Sequence, residues 1–557
     1  MLIGIDVGGT TTDAVLVEGG KVFRSACVPT EHNNLLGCLL SALDKLTDGV
    51  PPQKIERVVL STTLITNMIA EDKIDPVALV LIPGPGANTK DYNLGQDVFI
   101  LDGATDYSGR EIQKLDEPQV RASAQDLAKK GFKKIAIVGK FGQRNHAHEL
   151  KTGEIVAKAV PNAQVELGHR VSGQLNFPRR AATTMLTAAT KDKYQEFADQ
   201  INAALKKREI SAPVFILKAD GGTLPLDKSV NMPVETIFSG PAASIMGVMA
   251  LMPSSQTSVV VDIGGTTTDL ALILSGKPLL SSKGARVNSL LTHVRAFAVK
   301  SVAIGGDSAV NVADDCINIG PHREGPALCL GGPGPTPTDA LRLLGLSNIG
   351  DADLAEKAMY EVAEKLDCAS KEAALRIVDA VVEKIVYHVN EMFHEWEQEP
   401  AYRVWEIMKK ETLQAQNVVG VGGAAQPLVP LIAQKLGAKA VIPEYAPVAN
   451  AIGAALARPT LTLNLRIDTQ RGEYIIAEEG FAGRLNGKNV DLEQAEKMAR
   501  QLMEERANKM GIGEYAKESE VTYSEIFNMV RGWSTVGRLL DIRMEIPAGI
   551  IPGWGRC

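Results

Sequence analysis

The sequence predicts an α/β protein of two similar lobes, with a small α+β accessory region at its C-terminal end. Three observations carry this expectation. The stretch Asp6-Val7-Gly8-Gly9-Thr10-Thr11-Thr12-Asp13 returns, with one change, as Asp262-Ile263-Gly264-Gly265-Thr266-Thr267-Thr268-Asp269. Apolar strand-like runs alternate with helix-like runs through most of the chain, as they do where helices cover a parallel sheet. From about residue 460 onward the glycine-rich texture disappears. The expected domains are residues 1–180, 181–459 and 460–557.

Each copy of the repeat follows an apolar run, Leu2-Ile3-Gly4-Ile5 or Val259-Val260-Val261, and precedes another, Ala14-Val15-Leu16-Val17 or Leu270-Ala271-Leu272-Ile273. Both copies are therefore expected to be β-hairpins. A glycine pair permits positive φ and a tight turn, whose backbone N–H groups can approach an anion with no Cβ in the way. Threonine hydroxyls add donors. An aspartate closing the first strand repels phosphate, but it can hold Mg2+ or its water shell against phosphate oxygens. Two such loops can face one polyphosphate.

In chain order, residues 34–46 are expected as a helix, and Arg57-Val58-Val59-Leu60 as a strand entering the hydroxyl and amide cluster Ser61, Thr62, Thr63, Thr66 and Asn67. Strands at 77–81 and 135–138 alternate with helices at 120–130 and 148–160. Helical spacing fills 179–207, and 214–217 reads as a buried strand entering Asp220-Gly221-Gly222. Small residues at 240–247 suit a closely packed helix start ahead of the second hairpin. Glycine and proline between 325 and 337 predict an irregular loop, followed by strongly helical sequence over 353–396. Residues 417–426 have the form of strand, glycine turn and helix start, the helix continuing over 428–436. Adenine or ribose can rest on that turn. Beyond 460 come two strand-like pieces, a charged helix over 492–510 and a terminal strand near 536–544.

At 557 residues the chain exceeds one compact core, and its hydrophobic fraction of 45% is enough to fill several. A balance of 59 Lys plus Arg against 66 Asp plus Glu, with no basic run, argues against nucleic acid as a partner. The cysteines Cys27, Cys38, Cys316, Cys329, Cys368 and Cys557 form no CxxC pair, which argues against a zinc site or a disulfide framework. No export signal is read at the N-terminus and no uncharged apolar run reaches membrane-spanning length, so a cytoplasmic location without membrane contact is expected.

The two repeats, the turn Gly420-Val421-Gly422-Gly423 and the small-residue segments at 240–247 and 450–453 together resemble the actin-like ATPase superfamily of sugar kinases, heat-shock chaperones and actin. Those proteins clamp ATP between two lobes of duplicated ribonuclease-H-like architecture. Ser61-Thr62-Thr63 with Thr66-Asn67, Gly109-Arg110-Glu111, Arg144-Asn145 with His148-Glu149, Phe177-Pro178-Arg179-Arg180, and Asp220-Gly221-Gly222 narrow the resemblance to the hydantoinase/oxoprolinase family and its ATP-binding A-type subunit. Most specific are Gly325-Pro326-Ala327-Leu328-Cys329, Gly331-Gly332-Pro333 and Pro337-Thr338-Asp339-Ala340. The likeness runs from residue 1 to about 457.

This resemblance implies ATP- and Mg2+-dependent O-phosphorylation of a lactam, hydantoin, cyclic imide or ketone, leading to ring hydrolysis or carboxylation. It also implies a B-type second subunit and an oligomer of like or unlike chains. Asp6 and Asp262 would manage Mg2+ and its waters. Gly8, Gly9, Thr10 and Thr11, with Gly264, Gly265, Thr266 and Thr267, would grip phosphates, and Gly422 and Gly423 would seat the nucleoside. Asp13 and Asp269 either orient their own hairpins by accepting turn N–H bonds or supply a catalytic base. The alternative within the superfamily is an ATP-driven reactivase or activator of a partner enzyme. A sugar kinase leaves the 325–340 signature unexplained.

The chain departs from the family pattern in places. Where three glycines and a serine are usual, it has Gly305-Gly306-Asp307-Ser308, which introduces a carboxylate. His146 stands where proline is common, and Asn145-His146-Ala147-His148-Glu149 admits either a metal site or a capped polar helix face. Cys329 reads as a nucleophile or ligand, or as a packing thiol. The residues beyond 460 do not follow the family's usual C-terminal region.

Overall fold

The computed structural model describes all residues except 32, 93, 96, 314, 315, 321, 399–413, 486, 488, 489, 553 and 555–557, so Cys557 lies outside the described residues. Strand Leu2–Val7 pairs antiparallel with Thr11–Glu18, which pairs antiparallel with Lys21–Pro29. On its other edge Leu2–Val7 runs parallel to Arg57–Thr62, which is followed by Val214–Leu217 in parallel and Thr223–Pro225 antiparallel. The second lobe repeats this plan. There Ser258–Ile263 is antiparallel to Thr268–Leu274 and parallel to Asn417–Val421, which runs parallel to Lys439–Val441. The register is the same in both copies, with Asp6 opposite Asp13 and Asp262 opposite Asp269.

The parallel strands are buried because helices cover both faces. Helix Leu35–Thr47 presents Leu39, Leu43 and Leu46 to the first sheet, and its N-cap Asn34 accepts from the Gly37 N–H at 3.0 Å. Such a cap stabilises a helix by about 1 kcal/mol. The other face receives Ala451 and Ala455 of helix Ala449–Leu456, against Val15 and Val17. That helix also packs on helix Ser239–Leu251, so this helix pair lies between the two sheets.

The division expected at residue 180 falls inside one continuous helix, Phe177–Lys207. Leu186, Tyr194, Phe197, Ile201 and Leu205 of this helix belong to the core of the first lobe, and strands Val214–Leu217 and Thr223–Pro225 complete its sheet. Between the first hairpin and this helix lies a separate all-parallel sheet, ordered Gln164–Leu167, Lys134–Gly139, Ala78–Ile82, Val98–Ile100. The strongly helical run at 353–396 is two helices, Ala352–Leu366 and Ser370–Glu397, because Asp367 turns to φ 46° at the first helix's C-terminus.

The C-terminal region forms a five-stranded antiparallel sheet, in the order Phe481–Arg484, Glu473–Ile476, Leu461–Asp468, Ser534–Ile546, Glu520–Arg531. Helix Leu492–Lys509 packs Ala495, Ala499, Met503 and Ala507 onto it at four-residue spacing. Strand Glu520–Arg531 escapes the sequence reading because most of its side chains are exposed, leaving no alternation of apolar and polar residues to detect.

Candidate active site

A cleft of about 2780 Å3 opens between the lobes. Both hairpin turns line it, together with Asp6, Asp13, Asp262, Asp269, Gly422, Gly423 and Asn450. Every residue expected to hold nucleotide or Mg2+ is thus brought to one cavity, whereas Cys329, His146, His148 and Glu149 do not line it. In each turn the first glycine N–H donates back across the hairpin, Gly8 to the Thr11 carbonyl at 3.0 Å and Gly264 to the Thr267 carbonyl at 2.9 Å.

These glycines do not use the positive φ expected of them. Their need is space. A Cβ on Gly8 would lie 2.9 Å from the Thr11 carbonyl oxygen, and one on Gly265 would lie 2.9 Å from Asp307 Oδ2 and 3.1 Å from Thr10 Oγ1. Thr10 of the first lobe and Asp307 of the second therefore meet over the second turn. Gly422 does adopt positive φ, at 85°, and a Cβ there would lie 2.5 Å from Asp262 Oδ1. A Cβ on Gly9 or Gly423 would meet nothing within 4 Å, so both present bare backbone to the cleft.

The carboxylates converge on one amide. Asn450 Nδ2 donates to Asp6 Oδ2 at 3.3 Å and to Asp262 Oδ2 at 3.1 Å. Ser244 Oγ donates to Asp262 Oδ2 at 2.5 Å. Burial raises the pKa of all four aspartates, carrying Asp6 to about 7 against the donors Ser61 and Asn450. Asp269 also reaches about 7, through burial and then the neighbouring Asp262 charge. Asp13 accepts from the Thr11 hydroxyl at 3.1 Å and from the Cys27 thiol, and Asp269 accepts from Ser301, so their partners are side chains.

Asp6 Oδ1 is buried without a hydrogen-bond partner, an orphaned acceptor whose missing partner a cation or its water would supply. Among the described residues, no group of three or more His, Cys, Asp or Glu side chains is arranged to hold a metal. Two carboxylates beside the glycine turns nevertheless fit Mg2+, which keeps several waters and takes few protein ligands.

The 325–340 signature is held together by a buried carboxylate. Asp339 accepts from Thr336 N at 2.9 Å, Thr336 Oγ1 at 2.8 Å, Leu328 N at 3.2 Å and Cys329 N at 2.6 Å. This knot sets Thr338, whose hydroxyl donates to the Gly306 carbonyl at 2.8 Å, beside Asp307. Asp307 is paired with Arg323 at 2.9 Å. Burial and Asp339 push the Cys329 thiol up to about 12, which keeps it neutral, and it packs with Ala327 and Ala355. The imidazole cluster is no metal site. His148 pairs with Glu111 at 2.7 Å, Glu149 accepts from His169 Nδ1 at 2.6 Å, and His146 stacks on His169.

Asn450 and Ser244 went unassigned because their partners are remote in sequence. The only sequence signal was a polar residue within an otherwise small-residue helix. Among the described residues, no helix is long and apolar enough to cross a membrane.

Two hairpin-led sheets facing each other across such a cleft define a two-lobed actin-like ATPase fold. The chain belongs to the hydantoinase/oxoprolinase family, as an A-type chain. Residues 180–462 match the Hydantoinase/oxoprolinase model, and residues 2–160 match the Hydantoinase/oxoprolinase N-terminal region. It is 26% identical over 427 residues to an uncharacterized protein of Methanocaldococcus jannaschii, covering 68% of this chain and 62% of that one. Identity to the caprolactamase subunit alpha of Pseudomonas jessenii is 25% over 549 residues, covering 90% of this chain and 75% of that one. Identity to the acetophenone carboxylase gamma subunit of Aromatoleum aromaticum is 25% over 449 residues, covering 70% of this chain and 61% of that one.

In structure, the chain resembles the ATP-dependent caprolactamase of Pseudomonas jessenii with a TM-score of 0.72 at 20% identity, covering 100% of this chain and 88% of that one. It resembles nucleotide-free acetone carboxylase with a TM-score of 0.71 at 17% identity, covering 99% of this chain and 87% of that one.

Proposed function

We propose that the chain binds ATP and Mg2+ between its two hairpins and transfers the γ-phosphoryl group to the carbonyl oxygen of a lactam, hydantoin or related compound. The observation that carries this reading is the meeting of Asp6 and Asp262, one from each lobe, on the Asn450 amide between two phosphate-facing turns. Membership of a family with caprolactamase and carboxylase relatives supports it.

An amide is a weak electrophile. When its oxygen attacks the γ-phosphorus, the bond to the β-phosphate oxygen breaks, ADP leaves, and the amide becomes an imidate phosphate whose carbon water can attack. Phosphoryl transfer of this kind rests on positioning and charge neutralisation. Backbone N–H groups at Gly9 and Gly265 would face the phosphates, with Gly8 and Gly264 closing the turns through their own N–H bonds and the hydroxyls of Thr10, Thr11, Thr266 and Thr267 beside them. Gly422 and Gly423 would underlie the nucleoside. Mg2+, when bound at Asp6 and Asp262 through its waters, supplies neutralisation of the phosphate charge. Asp13 and Asp269 line the same cleft, and either would serve as the base that accepts a proton from water. Ring opening would be completed with a B-type second chain, in line with relatives described as subunits.

The test is Mg2+-dependent release of phosphate by the purified chain across 5-oxoproline, hydantoins, larger lactams and simple ketones. Stimulation by one compound is the expected result. ATP bound but unaffected by every carbonyl compound, and stimulated only by a protein partner, would replace this reading with a reactivase or activator.

A further inference from the structure

We infer that Asn450 is a positioning residue that yokes the cation-managing carboxylates of the two lobes, so that the cation pocket is complete only while the lobes are closed. The inference deepens the nucleotide reading above and rests on it for the identity of the cation.

The geometry begins with the helix that carries Asn450. Ala449–Leu456 is wedged against both lobes at backbone contact. A Cβ on Gly4, in the first lobe's central strand, would lie 2.1 Å from the Ala451 carbonyl oxygen. A Cβ on Gly453 would lie 2.1 Å from the Ala243 carbonyl oxygen, and one on Gly247 would lie 2.2 Å from the Ala449 carbonyl oxygen. The start of this helix is therefore fixed relative to the first sheet and to the helix that leads into the second hairpin. Asn450, its second residue, projects its amide where the two aspartates meet.

The choice of side chain follows from donor count. A carboxamide nitrogen carries two hydrogens and can serve two carboxylates at once, whereas a hydroxyl carries one, as Ser244 does for Asp262. The amide occupies Oδ2 of both aspartates and leaves Asp6 Oδ1 buried and unpartnered, so the yoke ties one oxygen of each carboxylate without using the orphaned one. Asp6 belongs to the first hairpin and Asp262 to the second, and any parting of the lobes must break at least one of the two bonds.

The experiment titrates Mn2+ into the full-length protein by electron paramagnetic resonance, with and without ADP, and measures ADP binding in EDTA by calorimetry. Asn450→Leu keeps the bulk and removes both donors. Its Mn2+ affinity in the presence of ADP is expected to fall about tenfold or more, the order associated with losing a group that orients metal-ligating carboxylates. ADP binding in EDTA is expected to stay within about twofold, as the hairpins and nucleoside turn are untouched. Asn450→Gln, which retains a two-hydrogen amide, is expected to recover part of the loss. If Asn450→Leu does not fold, the smaller Asn450→Ala, which also removes both donors without adding charge, serves with the same expected fall in Mn2+ affinity.

Unchanged Mn2+ affinity in the variant overturns the inference, as does an equal loss of ADP binding in EDTA, which would mark a role in helix packing alone. Wild-type protein that binds Mn2+ and ADP but turns over ATP with no carbonyl compound refutes the proposed activity, while the comparison of variants still reads the role of Asn450.

Discussion

Burial disfavours the charged forms of Asp6 and Asp269 and pushes both up to about 7, so the proposed Mg2+ binding would depend on pH. Raised folded-state pKa values mean that the folded protein holds protons more tightly than the unfolded chain. The stability these two groups contribute is therefore fully present below the ordinary value of 3.8 and is lost as pH rises towards about 7. In EDTA the melting temperature should decline across that window. Added Mg2+ should raise it by an amount that grows up to about pH 7 and above, because the metal binds the ionised form. A Mg2+ effect that shrinks as pH rises would contradict the assignment.

Asp6→Asn and Asp262→Asn follow the same logic in opposite directions for activity and stability. Turnover should drop about a hundredfold or more with the loss of a charge that orders the phosphates. In EDTA at alkaline pH the Asp6→Asn variant should melt no lower than wild type, since it removes a charge that burial penalises. Paired steady-state assays and melting curves check both statements. At this scale the sequence was informative for the aspartates, which sit in a contiguous repeat. It was silent on Asn450 and Ser244, whose partners are 188 and 18 residues away.

At the scale of elements, the two hairpins share a pattern but differ in what surrounds them. Gly9 faces open cleft, so Gly9→Ala should leave the melting temperature unchanged while its methyl group intrudes where phosphate approaches, raising KM for ATP about tenfold. Gly265→Ala meets Asp307 and Thr10 and must displace one of them, so it should also lower the melting temperature. Equal behaviour of the two variants would show that crowding at the second turn is relieved without cost. The Asp339 knot is the other element whose chemistry outruns its appearance. Asp339→Ala removes four accepted hydrogen bonds from fully buried donors and should destabilise the fold by about 3 kcal/mol or more, measured by denaturant unfolding.

Local pattern made the hairpins, the Leu35–Thr47 helix and the strand Arg57–Thr62 legible, because each states its periodicity within a few residues. The break at Asp367 depends on a single residue's left-handed turn, which composition does not announce. The sequence also fails to show that a helix starting at Phe177 belongs to the first lobe, because that follows from which core Tyr194 and Ile201 join.

For the whole molecule, the least expected feature is how closely the C-terminal sheet is joined to the first lobe. Val59 and Phe215 of the first sheet and Ala454 of the helix bearing Asn450 share one core with Leu463, Leu465, Met503, Leu540, Ile542 and Met544. Polar contacts follow the same boundary. Thr460 Oγ1 donates to Asp220 at 3.3 Å, Arg295 pairs with Glu545 at 2.7 Å, and Arg458 pairs with Glu518.

Arg57 lies against the same joint, donating to Thr223 and the Ala457 carbonyl and stacking over Phe215. Ending the chain after Pro459 would expose Val59 and Phe215, at about 1.5 to 3 kcal/mol each, and leave Asp220 and Arg295 short of partners. Against a typical domain stability of about 5 to 15 kcal/mol, those losses fall on the sheet that carries the first hairpin. A chain of residues 1–459 should therefore be poorly soluble or melt without cooperativity, and should not bind ADP. Recovery of that fragment as a monodisperse species, with the wild-type melting temperature and nucleotide affinity, would show instead that the C-terminal sheet is a detachable accessory.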